Sequence, residues 1–519
     1  MIYLGLIRAK TINPYVIAMP TFLDRIEHLG NRLPHPATMF ALATAFVIIL
    51  SAIAVHAGWS VVKVLPAASG GELVTDVIEP RSLLNSKGLW WLISHLVPNF
   101  VQFPPLGIVL VGMLGIGVAE RSGFVPALLT TLANRVSPSA LTPTIVFLGI
   151  FSSIGLDAGY VVLPPIAALL FLLSGRSPLV GIATAFAGIS AGFSANLVIT
   201  ALDPLLAGFT ESAAHLIDSD YRVAVTGNWW FMLASTLVLT LVGWAVTVLW
   251  VEPRARQVTI NSSEIEASQS IDGRAMFHAI TALLIAMAAL GFLILTPGGA
   301  LHGTGDRFPR WVEAMVPILF ILFFIPGIVY GYVSGSFRNN RDVAEAMGKT
   351  LAELGPYIVL AFFAAQFIES FKFSGLGEML AIAGGSILLE LAVPVWALIL
   401  IFVVVVMLGN LLVGSASAKY AFFAPVFVPM FMYVGISPEL TQVAYRVGDS
   451  ITNIITPLNP YMVIIVALIQ RFVSGAGLGT VIALMLPYAA AFAAVWISVL
   501  LAWIAVGIPL GPGGGLTYG

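Results

Sequence analysis

Arg446 and Asp449 stand three residues apart in the stretch Tyr445-Arg446-Val447-Gly448-Asp449, so on a helix they share one face. The surrounding sequence is apolar. There an ionised group costs several kcal/mol unless it is paired or hydrated, which makes each a candidate for function. The chemistry on offer is ion handling, with Asp449 as a coupling-ion or proton site and Arg446 as its partner or as the anchor for a substrate carboxylate. A structural ion pair within one helix near the outer interface is the competing reading. Asp157 and Lys419 occupy the tips of two other apolar segments, where a functional charge competes with a side chain that snorkels to the surface. For Asp203, in Leu202-Asp203-Pro204, a functional charge competes with a plain helix cap at the outer surface. Asn410 interrupts a limb where an apolar residue would cost less, so it reads as an ion ligand. Glu369 and Lys372 end an apolar run and read as interfacial. Pro326, Pro438 and Pro457 read as kink or turn residues, with Pro457 holding a helix break open.

These few charges are set in a chain of 519 residues that is 59% apolar and 9% charged, with a mean hydropathy of +1.00. An ordinary soluble protein is about 25% charged, so a soluble domain and a disordered chain are excluded. Lys and Arg number 23 against 25 Asp and Glu, a net charge of −2. No basic field exists for a phosphate backbone, and no nucleic-acid partner is expected. There is no Cys, hence no disulfide, thiol catalysis or Cys-ligated metal. The seven His are scattered without ligand spacing, and no cofactor is expected. No cleaved signal peptide is legible.

One helical crossing takes roughly 20 apolar residues, so the chain is expected to thread a bilayer many times. Crossings are expected near 37–59, 105–120, 179–200, 228–251, 276–296, 313–333, 352–371, 443–470 and 479–507. The segment 21–36 mixes Asp24, Arg25, Glu27 and Arg32 with Phe22, Leu23, Ile26 and Leu29, the pattern of an amphipathic helix on the membrane surface. Two apolar stretches, 140–174 and 395–433, each break in the middle, at Ser152-Ser153-Ile154-Gly155 and at Gly414-Ser415-Ala416-Ser417. Both read as re-entrant hairpins, whose tips must be buried in protein or line a water-filled cavity. Arg8, Lys10, Arg25 and Arg32 precede the first crossing, and Arg135, Arg176, Arg254, Arg256, Arg338, Arg341 and Arg471 fall on the same side. The N-terminus is therefore expected in the cytoplasm. Trp90-Trp91 and Trp229-Trp230 read as interfacial anchors.

The pattern repeats internally. Asp157-Ala158-Gly159-Tyr160 leads to Pro165, and Ser417-Ala418-Lys419-Tyr420 leads to Pro425. Downstream lie Ser194-Ala195-Asn196 with Thr200-Ala201-Leu202-Asp203-Pro204, and Ser450-Ile451-Thr452-Asn453 with Thr456-Pro457-Leu458-Asn459-Pro460. Pro165 and Thr200 are 35 residues apart, Pro425 and Thr456 31. Two such units entering from opposite faces form an inverted repeat, a common construction of secondary transporters. Hairpin tips expose N–H groups that attract anions. Broken helices expose carbonyls which, with Ser, Thr and Asn oxygens, coordinate a hard cation such as Na⁺. Ser153, Ser194, Asn196, Asn410, Ser415, Thr452, Asn453 and Thr456 are the candidate ion ligands. Close helix packing through small residues is the alternative.

The fold class expected is an all-α polytopic membrane protein, with about nine transmembrane helices and two re-entrant hairpins. The division is an N-terminal interfacial segment (1–36), first scaffold helices (37–139), a first transport unit (140–227), scaffold and dimerisation helices (228–394), a second transport unit (395–470), and a last helix with its tail (471–519).

With these residues in view, the chain resembles the p-aminobenzoyl-glutamate transporter (AbgT) family. The resemblance is carried by Leu33-Pro34-His35-Pro36, Ala207-Gly208 after Leu205-Leu206, Gly327-Ile328-Val329-Tyr330-Gly331, Phe363-Ala364-Ala365-Gln366-Phe367, Gly414-Ser415-Ala416-Ser417-Ala418, and Ala444-Tyr445-Arg446-Val447-Gly448-Asp449-Ser450 running into Asn453-Ile454-Ile455-Thr456-Pro457. It implies a homodimer in the bacterial inner membrane, coupled to Na⁺ or to protons. It also implies uptake of the folate catabolite p-aminobenzoyl-glutamate, or efflux of sulfonamide antimetabolites. The family's functional positions fall on Ser417, Pro438, Arg446, Asp449 and Pro457, and an aromatic one on Tyr420. Asp157, at the first tip, joins them as a substrate-side candidate. The family pattern has Trp where this chain has Tyr420, with Gln or Lys before it, and Ser-Asn-Thr where it has Ser152-Ser153-Ile154. A tyrosine changes the stacking surface and adds a hydroxyl. A small aromatic amide, carboxylate or sulfonamide is thus the expected substrate, its ring against Tyr420. No enzymatic activity is expected; the alternative from another class is an intramembrane aspartyl protease using Asp157 and Asp449.

Overall fold

The computed structural model describes residues 36–65, 74–134, 137, 140–155, 158–255, 272–473 and 475–519. The expected surface helix over 21–36, apart from Pro36, and the candidate Asp157 lie outside the described residues.

In lipid the backbone must satisfy its own hydrogen bonds, and long uncharged apolar runs do so as helices. In chain order, α1 (Pro36–His56) is followed by the strands β1 (Val61–Leu65) and β2 (Val74–Ile78) and by α2 (Pro104–Arg121). The first repeat unit contains α3 (Leu141–Phe151), α4 (Ala158–Leu173), α5 (Pro178–Phe186) and α6 (Leu202–Ala214). Then come α7 (Trp229–Ala255), α8 (Gly273–Leu295), α9 (Met315–Ser334) and α10 (Gly355–Phe373). The second unit contains α11 (Val395–Asn410), α12 (Ala416–Tyr433), α13 (Pro438–Thr452) and α14 (Met462–Gln470), and α15 (Leu478–Val506) closes the series. Shorter helices connect these.

Among the described residues seven helices are long and apolar enough to cross a membrane: α1, α2, α7, α8, α9, α10 and α15. They coincide with seven of the expected crossings. The remaining two, 179–200 and 443–470, are interrupted. α5 runs into a wide π-type turn at Ala187–Ala191, and regular structure resumes only at Leu202. α13 ends at Thr452 and α14 begins at Met462. Pro457 and Pro460 lie in that gap; neither has an N–H with which to continue a helical ladder.

The long helices turn apolar side chains outward, as lipid requires. α8 presents Phe277, Ile285 and Phe292, each more than 60% exposed. The all-α expectation is corrected at one place, an antiparallel ladder pairing Val61 with Ile78 and Leu65 with Val74. Its five-residue strands are Val-rich, which suits a pleated backbone, and too short to register in a search for membrane-length runs. In both Trp pairs read as anchors, one ring is exposed and the other is held by the protein. Trp90 is 70% exposed, but Trp91 stacks on Phe373 at 4.3 Å. Trp230 is exposed, while Trp229 donates its indole N–H to the Leu197 carbonyl at 2.8 Å.

Backbone contact brings the second unit together. A Cβ at Gly448 would lie 2.7 Å from the Val403 carbonyl oxygen and 2.9 Å from Val406 Cβ, so α13 touches α11 where a side chain has no room. Gly448→Val is expected to push the helices apart at a cost of about 1–3 kcal/mol. It would also break the 2.7 Å hydrogen bond from Asn410 Nδ2 to the Asp449 carbonyl. A lower melting temperature in detergent, together with loss of transport, checks this; an unchanged melting temperature would contradict it.

Candidate functional site

The site is built around α13. Its start is set by Ser437, which caps the helix by accepting from the Leu440 N–H at 3.0 Å, and by Pro438 in the first turn, where its missing N–H costs nothing. All fifteen residues of α13 are buried, yet the helix carries Glu439, Gln442, Arg446 and Asp449. Buried polar and charged groups are tolerated only when partnered, so the question is what each of them meets.

Arg446 and Asp449 do not pair with each other. The expectation of a salt bridge within one helix gives way to two separate ion pairs. Arg446 Nη2 lies 2.6 Å from Asp203 Oδ1, and Arg446 Nη1 donates to the Ser194 carbonyl at 3.4 Å. Asp203 is held in turn by the Thr200 N–H at 2.6 Å and the Thr200 hydroxyl at 2.9 Å, both on Oδ2. It is 5% exposed, which corrects its reading as a cap at the outer surface. Asp449 Oδ1 lies 2.5 Å from Lys419 Nζ and accepts from the Tyr445 hydroxyl at 3.3 Å. Lys419 is 2% exposed; it does not snorkel. The four charges cancel as two cation–carboxylate pairs. Among the described residues, Arg446 Nε and Asp449 Oδ2 are buried and have no hydrogen-bond partner.

The Arg446–Asp203 pair joins the two halves of the repeat, and other contacts follow the same seam. Ser194, from the first break, donates its N–H to the Ser450 hydroxyl at 3.2 Å. Thr210 hydrogen-bonds both the Tyr420 hydroxyl at 2.7 Å and Gln442 Oε1 at 2.8 Å. The acidic or amide residue of each Thr-x-Leu-(Asp/Asn)-Pro motif reaches into the other half. Asp203 meets Arg446, and Asn459 Nδ2 donates to the Ser190 hydroxyl at 3.1 Å. Tyr160 stacks on Tyr461 at 4.1 Å.

Within each half, the asparagine of the break is tied to the preceding helical pair. Asn196 Nδ2 donates to Ser153 Oγ at 2.8 Å and to the Ile150 carbonyl at 3.4 Å. Asn410 Nδ2, at the end of α11, donates to Asn453 Oδ1 at 2.9 Å and Thr452 Oγ1 at 2.8 Å. The side chain that meets the break asparagine is thus a serine, Ser153, in the first half and an amide, Asn410, in the second. Ser153 itself donates to the Ile150 carbonyl at 2.8 Å.

Ser415 is exposed and caps α12, accepting from the Ala418 N–H at 3.3 Å, and its hydroxyl lies 3.3 Å from that of half-buried Ser417. Thr456 is buried, and its hydroxyl accepts from the Leu458 N–H at 3.4 Å. Ser194 contributes its backbone to the seam. Pro457 lies between α13 and α14. Tyr420 is fully buried, with its ring centroid 4.3 Å from that of Tyr445. Arg446 is likewise buried, at 1% exposure. Asp449 is met by Lys419 and Tyr445; Asp157, its partner in the protease reading, lies outside the described residues.

Sequence reasoning missed Thr210, Gln442 and Glu439. Glu439 is 1% exposed; its Oε2 accepts from the Tyr221 hydroxyl at 2.9 Å, and its carbonyl accepts from Asn228 Nδ2 at 3.1 Å. The available signal was the density of polar residues over 437–452, too high for a lipid-facing helix.

A model of the AbgT putative transporter family matches residues 21–518. The chain belongs to this family. The p-aminobenzoyl-glutamate transport protein of Escherichia coli (strain K12) is 34% identical over 498 residues, covering 94% of this chain and 95% of that protein. The crystal structure of the Alcanivorax borkumensis YdaH transporter is similar at a TM-score of 0.86 and 45% identity, covering 92% of this chain and 100% of that one. Neisseria gonorrhoeae MtrF, described as illuminating a class of antimetabolite efflux pumps, matches at a TM-score of 0.86 and 39% identity, with 95% and 100% covered. This AbgT protein is therefore a multi-span membrane transporter.

Proposed function

We propose that this AbgT protein is an ion-coupled secondary transporter that takes up p-aminobenzoyl-glutamate-like folate catabolites, exports sulfonamide antimetabolites, or does both. The observation that supports this reading is the wholly buried polar helix α13, with its two ion pairs, at the seam between two repeat units. Lipid-facing structure has no use for such a helix, whereas a transporter places its substrate and ion sites between discontinuous helices near the membrane midplane. In this reading α3–α4 and α11–α12 are re-entrant hairpins entering from opposite faces. Residues 140–227 and 395–470 form the moving unit; the remaining helices form a scaffold that dimerises in the bacterial inner membrane with the N-terminus in the cytoplasm. Arg446 receives a carboxylate or sulfonyl group, Tyr420 packs on the substrate ring, Ser417 and Asp157 mark the tips, and Asp449 takes part in coupling to Na⁺ or protons.

The test is uptake of labelled p-aminobenzoyl-glutamate and of a sulfonamide into proteoliposomes, under separately imposed Na⁺ and proton gradients. Gradient-driven accumulation and counterflow are expected for at least one of the two substrates. Flux without counterflow would indicate a channel, and cleavage of the substrate an enzyme. Crosslinks that freeze the hairpins against the scaffold should stop transport; unchanged flux would rule out the moving unit.

A further inference from the structure

Three oxygens in the second half converge on one point, and a side chain of the protein already fills it. Lys419 Nζ lies 2.5 Å from Asp449 Oδ1, hydrogen-bonds Asn410 Oδ1 and faces the Val413 carbonyl at 3.5 Å. A carboxylate, an amide oxygen and a backbone carbonyl are the donor types that hold a hard cation. A lysine ammonium carries the same single charge as Na⁺ and has three N–H donors, one for each oxygen.

The neighbouring candidate ligands face Asn410 rather than Lys419. Asn410 Nδ2, with two N–H donors to share, lies 2.7 Å from the Asp449 carbonyl, 2.8 Å from Thr452 Oγ1 and 2.9 Å from Asn453 Oδ1. That placement turns Asn410 Oδ1 toward Lys419. In this cluster, among the described residues, Asp449 Oδ2 has no hydrogen-bond partner. One carboxylate oxygen beside a fixed ammonium, in a buried place where like charges repel strongly, is no sodium site.

We propose that the second half of the repeat carries its own cation: the Lys419 ammonium takes the place among Asn410, Val413 and Asp449 that a sodium ion would fill, and Na⁺ does not bind there. Lys419 is then the residue that decides ion specificity at this half. The inference deepens the transporter reading by naming the cation at one of its sites, but its test needs no transport, so the two can fail separately.

The measurement is hydrogen exchange by mass spectrometry on the purified full chain in detergent, with NaCl against N-methyl-D-glucamine chloride at equal ionic strength. In the unaltered protein, segments 407–420 and 445–456 are expected to show no Na⁺-specific protection. Lys419→Met frees the carboxylate and the two neutral oxygens, and is expected to gain Na⁺-specific slowing of exchange in those segments, at least several-fold. Adding Asp449→Asn to Lys419→Met should remove the gain. Na⁺-specific protection of these segments in the unaltered protein overturns the proposal, and that arm stands even if the variant does not fold. A folded Lys419→Met protein whose response to Na⁺ matches that of the unaltered protein overturns it as well.

Discussion

Arg446→Ala is expected to cost the fold about 3–5 kcal/mol, because it leaves the Asp203 carboxylate buried without its counter-charge. The pair is 2.6 Å apart, with side chains 2% and 7% exposed, and a water entering the vacated space would bring no counter-charge. Thr200 still donates two hydrogen bonds to Oδ2, but these leave Oδ1 bare. The melting temperature in detergent should fall sharply and transport should vanish. Loss of both says nothing yet about transport as such. The discriminating variant is Arg446→Met/Asp203→Asn, which removes both charges. The asparagine oxygen can still accept from the Thr200 N–H, and the methionine fills much of the arginine's apolar stem. Replacing a buried pair by neutral groups of similar volume is often neutral or stabilising. The double variant is therefore expected to regain most of the melting temperature and none of the substrate accumulation. A double variant that accumulates substrate normally would confine Arg446 to a structural role.

That pair also marks the limit of what sequence can supply. The repeat is legible because Thr-x-Leu-(Asp/Asn)-Pro recurs at similar distance from an Ala-x-Tyr and proline segment, and such local patterns survive without any knowledge of packing. Seven crossings are legible because lipid demands length and apolarity, which a chain displays directly. The partner of Arg446 is not legible. Asp203 is 243 residues away, and in sequence the nearer Asp449 at i+3 is the natural choice. Only the crossing of α13 by the segment entering α6 decides between them. Lys419 illustrates the same limit. In the first turn of a membrane helix a lysine ordinarily reaches outward, and the inward course of Lys419 depends on Asn410 and Asp449 from two other helices. The polar character of α13 is hidden for a simpler reason. Hydropathy averages over 443–470 merge a polar half with the strongly apolar Met462–Gln470.

Asp449→Asn is expected to abolish gradient-driven flux, and the reason must be separated from damage to the fold. The substitution keeps the shape of the side chain and removes its charge, so Lys419 is left as a buried ammonium facing only neutral oxygens, at a cost of roughly 3–5 kcal/mol. Tyr445 loses a charged acceptor too, although its hydroxyl keeps the Ala416 carbonyl at 2.5 Å. A fall in melting temperature is therefore expected to accompany loss of flux in the single variant. Asp449→Asn/Lys419→Met removes the stranded charge and should restore stability toward that of the unaltered protein. Two outcomes then part company. If Asp449 serves only to neutralise Lys419, the double variant recovers flux along with stability. If the carboxylate takes part in coupling, the protein folds but accumulates substrate no better than empty liposomes under either a Na⁺ or a proton gradient. The second outcome is expected, because the carboxylate sits 2.5 Å from a buried ammonium close to the break between α13 and α14, and discontinuous helices are where secondary transporters hold their ion sites.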